Sequence, residues 1–483
     1  MKHLFPSKAL FVAVIAMAVG PSSLATAQSL DPERAAVPAP EQAKGEKVFD
    51  AETFTLDNGL EIIVIPNDRA PVLTQMVWYK VGAADEDRGK SGVAHYLEHL
   101  LFKGSKQVGG RDLAPGEFSE IIRSMGGNDN AFTSQDYTAY YQSVPSEHLE
   151  TVMRMEAGRM LDFIVPLDAY QSERDVIIEE RRQRTDNDTR GQFGEQMSAA
   201  AFVNHPYGVP VIGWKHEAEA LTYDDAKEFF NRWYAPNNAT LVVSGDVSPA
   251  HVFELAIEIY GKIPKKTLPK RDRTGSPELN SRTLVTLDHP AIRQAVVQTL
   301  FRAPSARQNT KDARALEVLE EIMSGGSSSR LYQSLVTKQK IASGAGLSYR
   351  STVWDDGSIY VYATPISGQT LRGVHQALMK ELRELIEDGV TSDELQNAKS
   401  TMRDKAIYAR DSLTGPAMVM GLGVTTGESV DDIEYWPDAI DAVTAEDVQR
   451  VATQYLNPDK FGVHPPVSGY LLPQGESDGG YTP

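Results

Sequence analysis

Residues 91–105 read SGVAHYLEHLLFKGS, and this stretch decides how the rest of the chain is organised. It places His95, Glu98 and His99 in the pattern H-x-x-E-H inside an apolar run. Side chains four residues apart lie on one face of a helix, so the two imidazoles would point the same way. The flanking residues are apolar nearly all round, which predicts a helix buried against other elements. Two histidines and a carboxylate in a buried helix need compensating partners.

A divalent metal ion is the partner that fits this pattern. Two imidazole nitrogens one helical turn apart can bind a single zinc ion, and the nearby glutamate can hold a water molecule beside it. The chain has no cysteine, which excludes disulfides and thiolate ligands and leaves histidine or carboxylate. Zinc is the default ion for nitrogen and oxygen ligands in tetrahedral geometry. The alternative is an ordinary helix that matches the pattern by chance.

A third ligand is expected from the acidic helix predicted between Leu167 and about Arg184. Acidic residues seven apart lie two turns along one face of such a helix. The residues alone leave four carboxylates open as the ligand: Glu173, Asp175, Glu179 and Glu180. The alternative is a solvated charged face, because Glu and Arg alternate along this helix with favourable pairing.

The motif and the FKGS that follows it resemble the inverzincins, the family of pitrilysin, insulysin and the mitochondrial processing peptidase. The resemblance spans about residues 54–458. It implies that His95, His99 and Glu180 bind one zinc ion per chain and that Glu173 supports the site. It also implies that Glu98 takes a proton from the attacking water and passes it to the leaving amine. No other cofactor is implied.

A pair of strands is predicted after the helix that carries the H-x-x-E-H motif, at 130–133 and 137–144. A strand at the edge of a sheet can accept an extended peptide through backbone hydrogen bonds. In the family that the chain resembles, the matching segment lines the substrate cleft, which implies that Asn130, Ala131 and Phe132 contact the peptide. The alternative is an ordinary internal strand.

The chain also contains an internal repeat. LTYDDAKEFFNRWYAPNN at 221–238 aligns without gaps with VTAEDVQRVATQYLNPDK at 443–460. Each copy predicts a threonine-capped helix. The first copy leads into a strand at 239–244 and the second into a weaker strand at 461–463. We therefore expect an α+β fold of two tandem homologous domains, each a mainly antiparallel sheet covered by helices. The resemblance implies that the two domains form half of a clamshell.

The same patterns divide the chain into segments. Residues 1–27 are typical of a secretory signal peptide, with two lysines, a short apolar run and an A-x-A site, which predicts a periplasmic mature protein. Residues 28–46 lack periodicity and predict a mobile leader. We expect the catalytic zinc domain at 47–264, a linker at 265–282, the non-catalytic homologous domain at 283–470 and a tail at 471–483. No segment of the mature chain is apolar over the length that a membrane span needs.

Several classes of partner are disfavoured by the sequence. The formal net charge of −18 argues against nucleic acid, although it gives no substrate preference. GGSSSRL at 325–331 lacks the order of a phosphate-binding loop and indicates a loop that caps a helix. His205 is followed by proline and is predicted to be structural.

Two positions depart from the pattern of the family. Its members carry an arginine and, seven residues later, a tyrosine that assist substrate binding, where this chain has Val336 and Ser343. Neither residue replaces the planar donors of a guanidinium or a phenolic hydroxyl. Half-size members of the family pair as dimers, and in some only one subunit holds zinc. We therefore predict that this chain is the zinc subunit of a heterodimer whose partner carries the arginine and tyrosine, with a homodimer as the alternative.

The predicted function is that of a periplasmic zinc-dependent endopeptidase that hydrolyses unfolded peptides or oligopeptides. The rival is a non-catalytic structural or assembly subunit, which Val336 and Ser343 favour and the intact zinc residues oppose. A specific presequence-processing peptidase would share the same chemistry.

Overall fold

The structure, a computed structural model, describes residues 45–106, 110–459 and 464–475. The strands of the first half are β1 (Glu52–Thr55), β2 (Glu61–Pro66), β3 (Val72–Tyr79), β4 (Asn128–Thr133), β5 (Thr138–Pro145) and β6 (Ala239–Gly245). Its helices are α1 (Val93–Leu100), α2 (Glu117–Ser124), α3 (Leu149–Leu161), α4 (Leu167–Arg181), α5 (Thr189–Ala201), α6 (Lys215–Ala218), α7 (Tyr223–Trp233) and α8 (Pro249–Ile259).

The second half repeats this succession of elements. Its strands are β7 (Thr283–His289), β8 (Val296–Ala303), β9 (Ala342–Arg350), β10 (Gly357–Pro365) and β11 (Val467–Pro473). Its helices are α9 (Thr310–Ser324), α10 (Leu371–Asp388), α11 (Ser392–Asp411), α12 (Gly415–Thr425), α13 (Val430–Glu434), α14 (Trp436–Asp441) and α15 (Ala445–Tyr455).

Both sheets share one strand order, which confirms the predicted α+β fold of two tandem domains. The first sheet has the order β1-β2-β6-β3-β5-β4 and the second the order β7-β11-β8-β10-β9. One pair in each sheet is parallel, β2 with β6 and β7 with β11, and the other neighbours are antiparallel. Without β1, the two sheets correspond strand for strand, as expected of a duplicated domain.

The repeated segments form the helices α7 and α15, and both begin in the same way. Thr222 accepts a hydrogen bond from the Asp225 N–H while the Asp225 carboxylate accepts one from the Thr222 N–H, which makes a capping box. Thr444 and Asp447 form the same box at α15. Helix α7 leads into β6 as predicted. The strand predicted at 461–463 lies outside the described residues, and the next described strand is β11.

Each sheet is covered on both faces, and one of the two covers comes from the other domain. In β2, Ile62 and Val64 pack with the helices of the first domain, whereas Ile63 and Ile65 pack with α12 of the second domain. Burial on both faces explains why this strand is an unbroken apolar run rather than an alternating one.

Helix α5 of the first domain makes the reciprocal contact with the second sheet. Its Phe193 and Met197 pack against residues of β8 and β11. At α12 the close approach requires Gly421, because a Cβ there would overlap the indole of Trp78. Each domain therefore completes the hydrophobic core of the other.

The start of the folded region differs from the prediction. The N–H groups of Phe49 and Ala51 donate to the buried Glu434 carboxylate over 2.7 and 2.6 Å, which docks residues 45–51 on the second domain. Gly45, in the predicted leader, is held as well, because its N–H donates to the Asp438 carboxylate. The predicted signal peptide and residues 28–44 of the predicted leader lie outside the described residues.

Strand β11 lies between β7 and β8 and continues to Pro473. The helix predicted from Leu167 to about Arg184 is present as α4 to Arg181, and a π-helical turn from Arg182 to Asp186 continues it. Among the described residues, no helix combines the length and apolarity needed to span a membrane.

The segment between α8 and β7 is held to both domains by Arg273. Its guanidinium pairs with Asp85 and Asp136 of the first domain and with Asp355 in the loop between β9 and β10. Only 6% of the Arg273 side chain is exposed, and Asp85 and Asp136 are almost fully buried. Because these charges are removed from water, each depends on the others for compensation.

We expect Arg273→Ala to lower the free energy of unfolding by about 3–5 kcal/mol, because it leaves the buried Asp136 carboxylate without a counter-charge, whereas Asp85 keeps its pairing with Arg271. Urea unfolding followed by circular dichroism measures the loss. The matched control is Arg69→Ala, because Arg69 and Asp411 also join the two domains but are exposed. The control should lose at most about 1 kcal/mol. Equal losses in the two variants would contradict the assignment of Arg273 as a buried clamp.

Candidate metal centre

Helix α1 is buried as predicted, and its first turn is capped by a carboxylate. Glu86 accepts hydrogen bonds from the N–H groups of Gly92 and Ala94 over 2.9 and 2.8 Å. Gly92 has a φ of 91°, which favours glycine at the point where the chain enters the helix. A carboxylate at a helix N-terminus satisfies the free N–H groups and the positive end of the helix dipole. This cap holds the helix that carries the H-x-x-E-H motif.

His95, His99 and Glu180 converge on one point between α1 and α4. The Glu180 Oε2 atom lies 3.8 Å from His95 Nε2 and 3.3 Å from His99 Nε2. The three ligand atoms lie within 4.8 Å of one another and form, in the described part of the chain, the group that could hold a metal ion. Zinc bonds of about 2.0–2.1 Å in a tetrahedron put neighbouring ligand atoms about 3.3 Å apart, so the spacing fits zinc.

Glu173 orients one of the two histidines. Its Oε1 atom lies 3.0 Å from His99 Nδ1, and its Oε2 atom lies 2.6 Å from Lys103 Nζ. A hydrogen bond from Nδ1–H to a carboxylate leaves the Nε2 lone pair of the imidazole free to bind a metal. Lys103 balances the charge of the 5% exposed Glu173. The predicted supporting residue therefore contacts a predicted ligand directly.

The ionisation of the three candidate ligands follows from their surroundings. Burial lowers the pKa of His95 to about 3, which keeps its imidazole neutral. Burial also acts to lower the pKa of His99, but hydrogen bonds to Glu173 and Glu180 outweigh it and raise it to about 9. Burial acts to raise the pKa of Glu180, and the neighbouring histidines and Arg184 outweigh it, lowering it to about 2. The surroundings therefore favour the charged forms of Glu180 and His99, a carboxylate beside an imidazolium.

Glu98 lies on α1, as His95 and His99 do, but its carboxylate is bonded to a residue of β4. The Thr133 hydroxyl on β4 donates to Glu98 Oε2 over 2.6 Å. Burial raises the pKa of Glu98, while the Thr133 hydrogen bond and His99 act in the opposite direction. A carboxyl group whose pKa is raised toward neutrality is suited to exchange protons with a substrate.

The predicted substrate residues lie on β4, an edge strand of the first sheet. Asn130 is exposed, and its Oδ1 atom accepts a hydrogen bond from the N–H of Ala131 over 2.9 Å. Ala131 packs toward the core beneath α1, whereas Phe132 packs on the opposite face, with its ring 5.3 Å from that of Trp78. The strand therefore presents its backbone at the sheet edge while the Phe132 side chain is engaged in packing.

The residues that depart from the family pattern lie in the second domain. Val336 is in a π-helical segment before β9 and packs against the core of that domain. Ser343 lies on β9 and accepts a hydrogen bond from Gln294 Nε2 over 2.8 Å. His205 is bonded to the N–H of Tyr207 and faces Asp355, away from the metal centre, as expected of a structural histidine.

Three side chains at the centre were missed by the sequence reasoning. Thr133 follows the predicted substrate residues directly, Lys103 belongs to the quoted FKGS, and Arg184 lies one turn beyond Glu180. Arg184 Nη1 lies 2.6 Å from Glu180 Oε1, the carboxylate oxygen that is bonded neither to His95 nor to His99. Helical spacing could have placed Arg184 beside Glu180, but the partner of Thr133 depends on tertiary packing.

Two family models match consecutive parts of this chain. Residues 62–214 match the family described as Insulinase (Peptidase family M16), and residues 220–402 match the description Peptidase M16 inactive domain. The zinc protease PqqE of Helicobacter pylori is 31% identical over 84% of this chain and 90% of its own length. An uncharacterised zinc protease of Mycobacterium leprae is 30% identical over 83% of this chain and 88% of its own length.

Solved structures show the same architecture. A protease from Helicobacter pylori superposes with a TM-score of 0.81 and 27% identity, over 89% of this chain and all of that chain. The periplasmic protease PqqL from Escherichia coli superposes with a TM-score of 0.72 and 19% identity, over 89% of this chain but 48% of that one. A fold of two tandem domains, matched over nearly the whole chain by zinc proteases, identifies this protein as a member of peptidase family M16.

Proposed function

We propose that this chain is a zinc-dependent endopeptidase of unfolded peptides. The observation that carries the proposal is that Glu180 of α4 meets His95 and His99 of α1 at one point, beside Glu98 of α1. A structural subunit would have no need to gather four buried or half-buried ionisable groups around one point, because removing them from water is costly. The zinc proteases among the relatives support the same reading.

We assign the metal to His95, His99 and Glu180, one zinc ion per chain. Zinc would polarise the peptide carbonyl and lower the pKa of the attacking water. Glu98 would take the proton of that water and pass it to the leaving amine, since its pKa is raised by burial. Glu173 would hold His99 in the tautomer that presents Nε2, with Lys103 fixing Glu173 in turn.

The substrate would pair with the free edge of β4. The N–H of Ala131, now bonded to the Asn130 side chain, would donate to a substrate carbonyl instead. Strand addition recognises the backbone and requires an extended peptide, so folded proteins would be excluded. Asn130, Ala131 and Phe132 are therefore proposed as substrate-binding residues, chiefly through the main chain.

A partner subunit completes the proposal. Val336 and Ser343 stand where the family pattern calls for arginine and tyrosine, so those groups would come from a homologous chain. PqqL, of which this chain matches 48%, is about twice as long as the matched region, which supports a clamshell made from two such halves. The predicted signal peptide and the periplasmic location of PqqL support the periplasm as the site of action.

A non-catalytic assembly subunit is the second candidate. The absence of arginine and tyrosine at 336 and 343 favours it, and so does the description of the second domain as inactive. Presequence processing is a narrower form of the proposed peptidase, and mapping of the cleavage sites separates the two.

Glu180→Gln should weaken zinc binding by more than about 100-fold, because it removes a charged ligand atom. Zinc affinity is measured by competition with a chelator and zinc content by mass spectrometry. Glu179→Gln is the matched control, since Glu179 is adjacent, exposed and paired with Arg182. Equal zinc binding by the two variants would exclude Glu180 as a ligand.

Glu98→Gln should reduce the turnover of an unstructured fluorogenic peptide by about 10²–10⁴-fold, because the amide cannot accept the proton. Zinc content should stay at the wild-type level, which separates lost chemistry from lost metal. Unchanged turnover in this variant would remove Glu98 as the base. A wild-type chain that binds zinc but cleaves nothing would point to the missing partner.

We expect the chain alone to be a slow peptidase and Val336→Arg with Ser343→Tyr to raise its kcat/KM at least about tenfold, since the pair supplies donors for the developing charge. Each copy of a self-paired variant would offer these groups to the other. Val336→Arg with Ser343→Phe, which lacks the hydroxyl, is the matched control and should gain less. A wild-type chain that pairs only with itself and is already as fast as the double variant would contradict the need for a second subunit.

A further inference from the structure

The hydrogen bond between Thr133 and Glu98 joins the strand proposed to hold the substrate to the residue proposed as the base. We propose that Thr133 is a positioning residue that fixes the Glu98 carboxylate for proton transfer. This inference rests on the proposed peptidase function and adds a residue to its machinery.

The contact has the geometry of a strong, directional bond. The Thr133 Oγ1 to Glu98 Oε2 distance of 2.6 Å is that of a hydroxyl donating to a charged carboxylate. Glu98 is 8% exposed, so few water molecules compete for the same oxygen. With Oε2 engaged, Oε1 is the oxygen that remains to take a proton from water. Thr133 itself gains and loses no proton in the reaction.

The backbone around Thr133 is held firmly enough to serve as a reference point. Thr133 pairs with Thr138 across the hairpin, and the Ser134 N–H donates to the Tyr137 carbonyl over 2.8 Å. Asp136 in the same turn accepts hydrogen bonds from the Tyr207 hydroxyl and pairs with Arg273. The hydroxyl is therefore fixed by the fold and orders a glutamate that has three rotatable side-chain bonds.

The position of Thr133 on β4 links substrate binding to the base. Ala131 and Thr133 are two residues apart, so their side chains lie on one face of the strand, toward α1, and Phe132 lies on the other. A peptide paired with the outer edge of β4 would hold the strand extended at its position beside α1. Strand β4 would then bind the peptide that is cleaved, and it would also bear the hydroxyl that orients Glu98.

Thr133→Val tests the inference, because it removes the hydroxyl while keeping a β-branched side chain on the strand. We expect kcat to fall about 10- to 100-fold, as for loss of a hydrogen bond to a charged group, with KM and zinc content unchanged. Thr133→Ser should restore kcat to within about threefold of wild type. Thr138→Val, which alters the cross-strand neighbour and its bond to the Val81 carbonyl, should keep the wild-type kcat.

A second readout does not depend on turnover or on a partner subunit. In the cobalt-substituted chain, the pH midpoint of the visible spectrum should rise in Thr133→Val, because a bond that favours the charged carboxylate is lost. Thr133→Ser and Thr138→Val should keep the wild-type midpoint. An unchanged midpoint and kcat in Thr133→Val would overturn the proposal, and so would an equal loss in Thr138→Val or a loss of zinc. Wild type and Glu98→Gln, assayed in parallel, show separately whether the peptidase function itself stands.

Discussion

Helix α1 must be buried while it carries two imidazoles and a carboxylate, and this constraint shapes the first domain. His95 and Glu98 are 7% and 8% exposed, so their polar atoms have left bulk water. Polar groups in such a place cost several kcal/mol each unless they find partners. Thr133 on β4 contacts Glu98, and Glu173 and Glu180 on α4 contact the histidines. Lys103 pairs with Glu173, and Glu86 caps the backbone N–H groups of the helix. The candidate metal centre is therefore a meeting point of elements and not a property of the motif alone.

The second domain shows what the same position becomes when no metal ligands are present. At the offset of 222 residues that aligns the repeats, α9 carries Glu317, Glu320 and Glu321 in place of the histidines and glutamate of α1. Lys405 Nζ lies 2.6 Å from Glu321 Oε2, so an ammonium group neutralises this carboxylate. Burial raises the pKa of Glu320 to about 8, so at neutral pH this carboxyl group tends to be protonated. In the duplicated helix the cost of burial is offset by Arg314 beside Glu317, by Lys405 beside Glu321 and by protonation of Glu320, and the helix has no imidazole to bind zinc.

Local sequence was enough to predict the features that depend on helical or strand spacing. The H-x-x-E-H motif, the seven-residue spacing of Glu173 and Glu180, and both threonine caps are of this kind, because the periods of helices fix them. The choice of Glu180 among four carboxylates needed the family resemblance, since spacing alone does not say which face of α4 meets α1. The strands were found with ends displaced by a few residues, as hydrogen-bond partners and not residue type decide where a strand stops.

Contacts between distant segments could not be predicted in the same way. The exchange of α5 and α12 between the domains could not be predicted from their sequences, because α12 is apolar on every side and α5 carries polar residues through much of its length. The docking of residues 45–51 on Glu434 and the pairing of Arg273 with three aspartates join residues between 82 and 385 positions apart. Gly45, which was assigned to the mobile leader, is docked in the same way, because its N–H donates to Asp438, a partner that its own sequence does not show.

The domain described as inactive nonetheless contributes to the geometry of the centre. Asp355, at the tip of the hairpin formed by β9 and β10, meets Arg273, which also holds Asp136 at the tip of the hairpin formed by β4 and β5. Arg350, at the end of β9, donates to the Ser134 hydroxyl, one residue from Thr133. The two hairpins are thus tied tip to tip beside the strand that carries the contact to Glu98. The hairpin of the second domain supports the tip of the β4–β5 hairpin, and α12 packs behind β3 and β6 of the same sheet. Strand β4 in turn lies against α1.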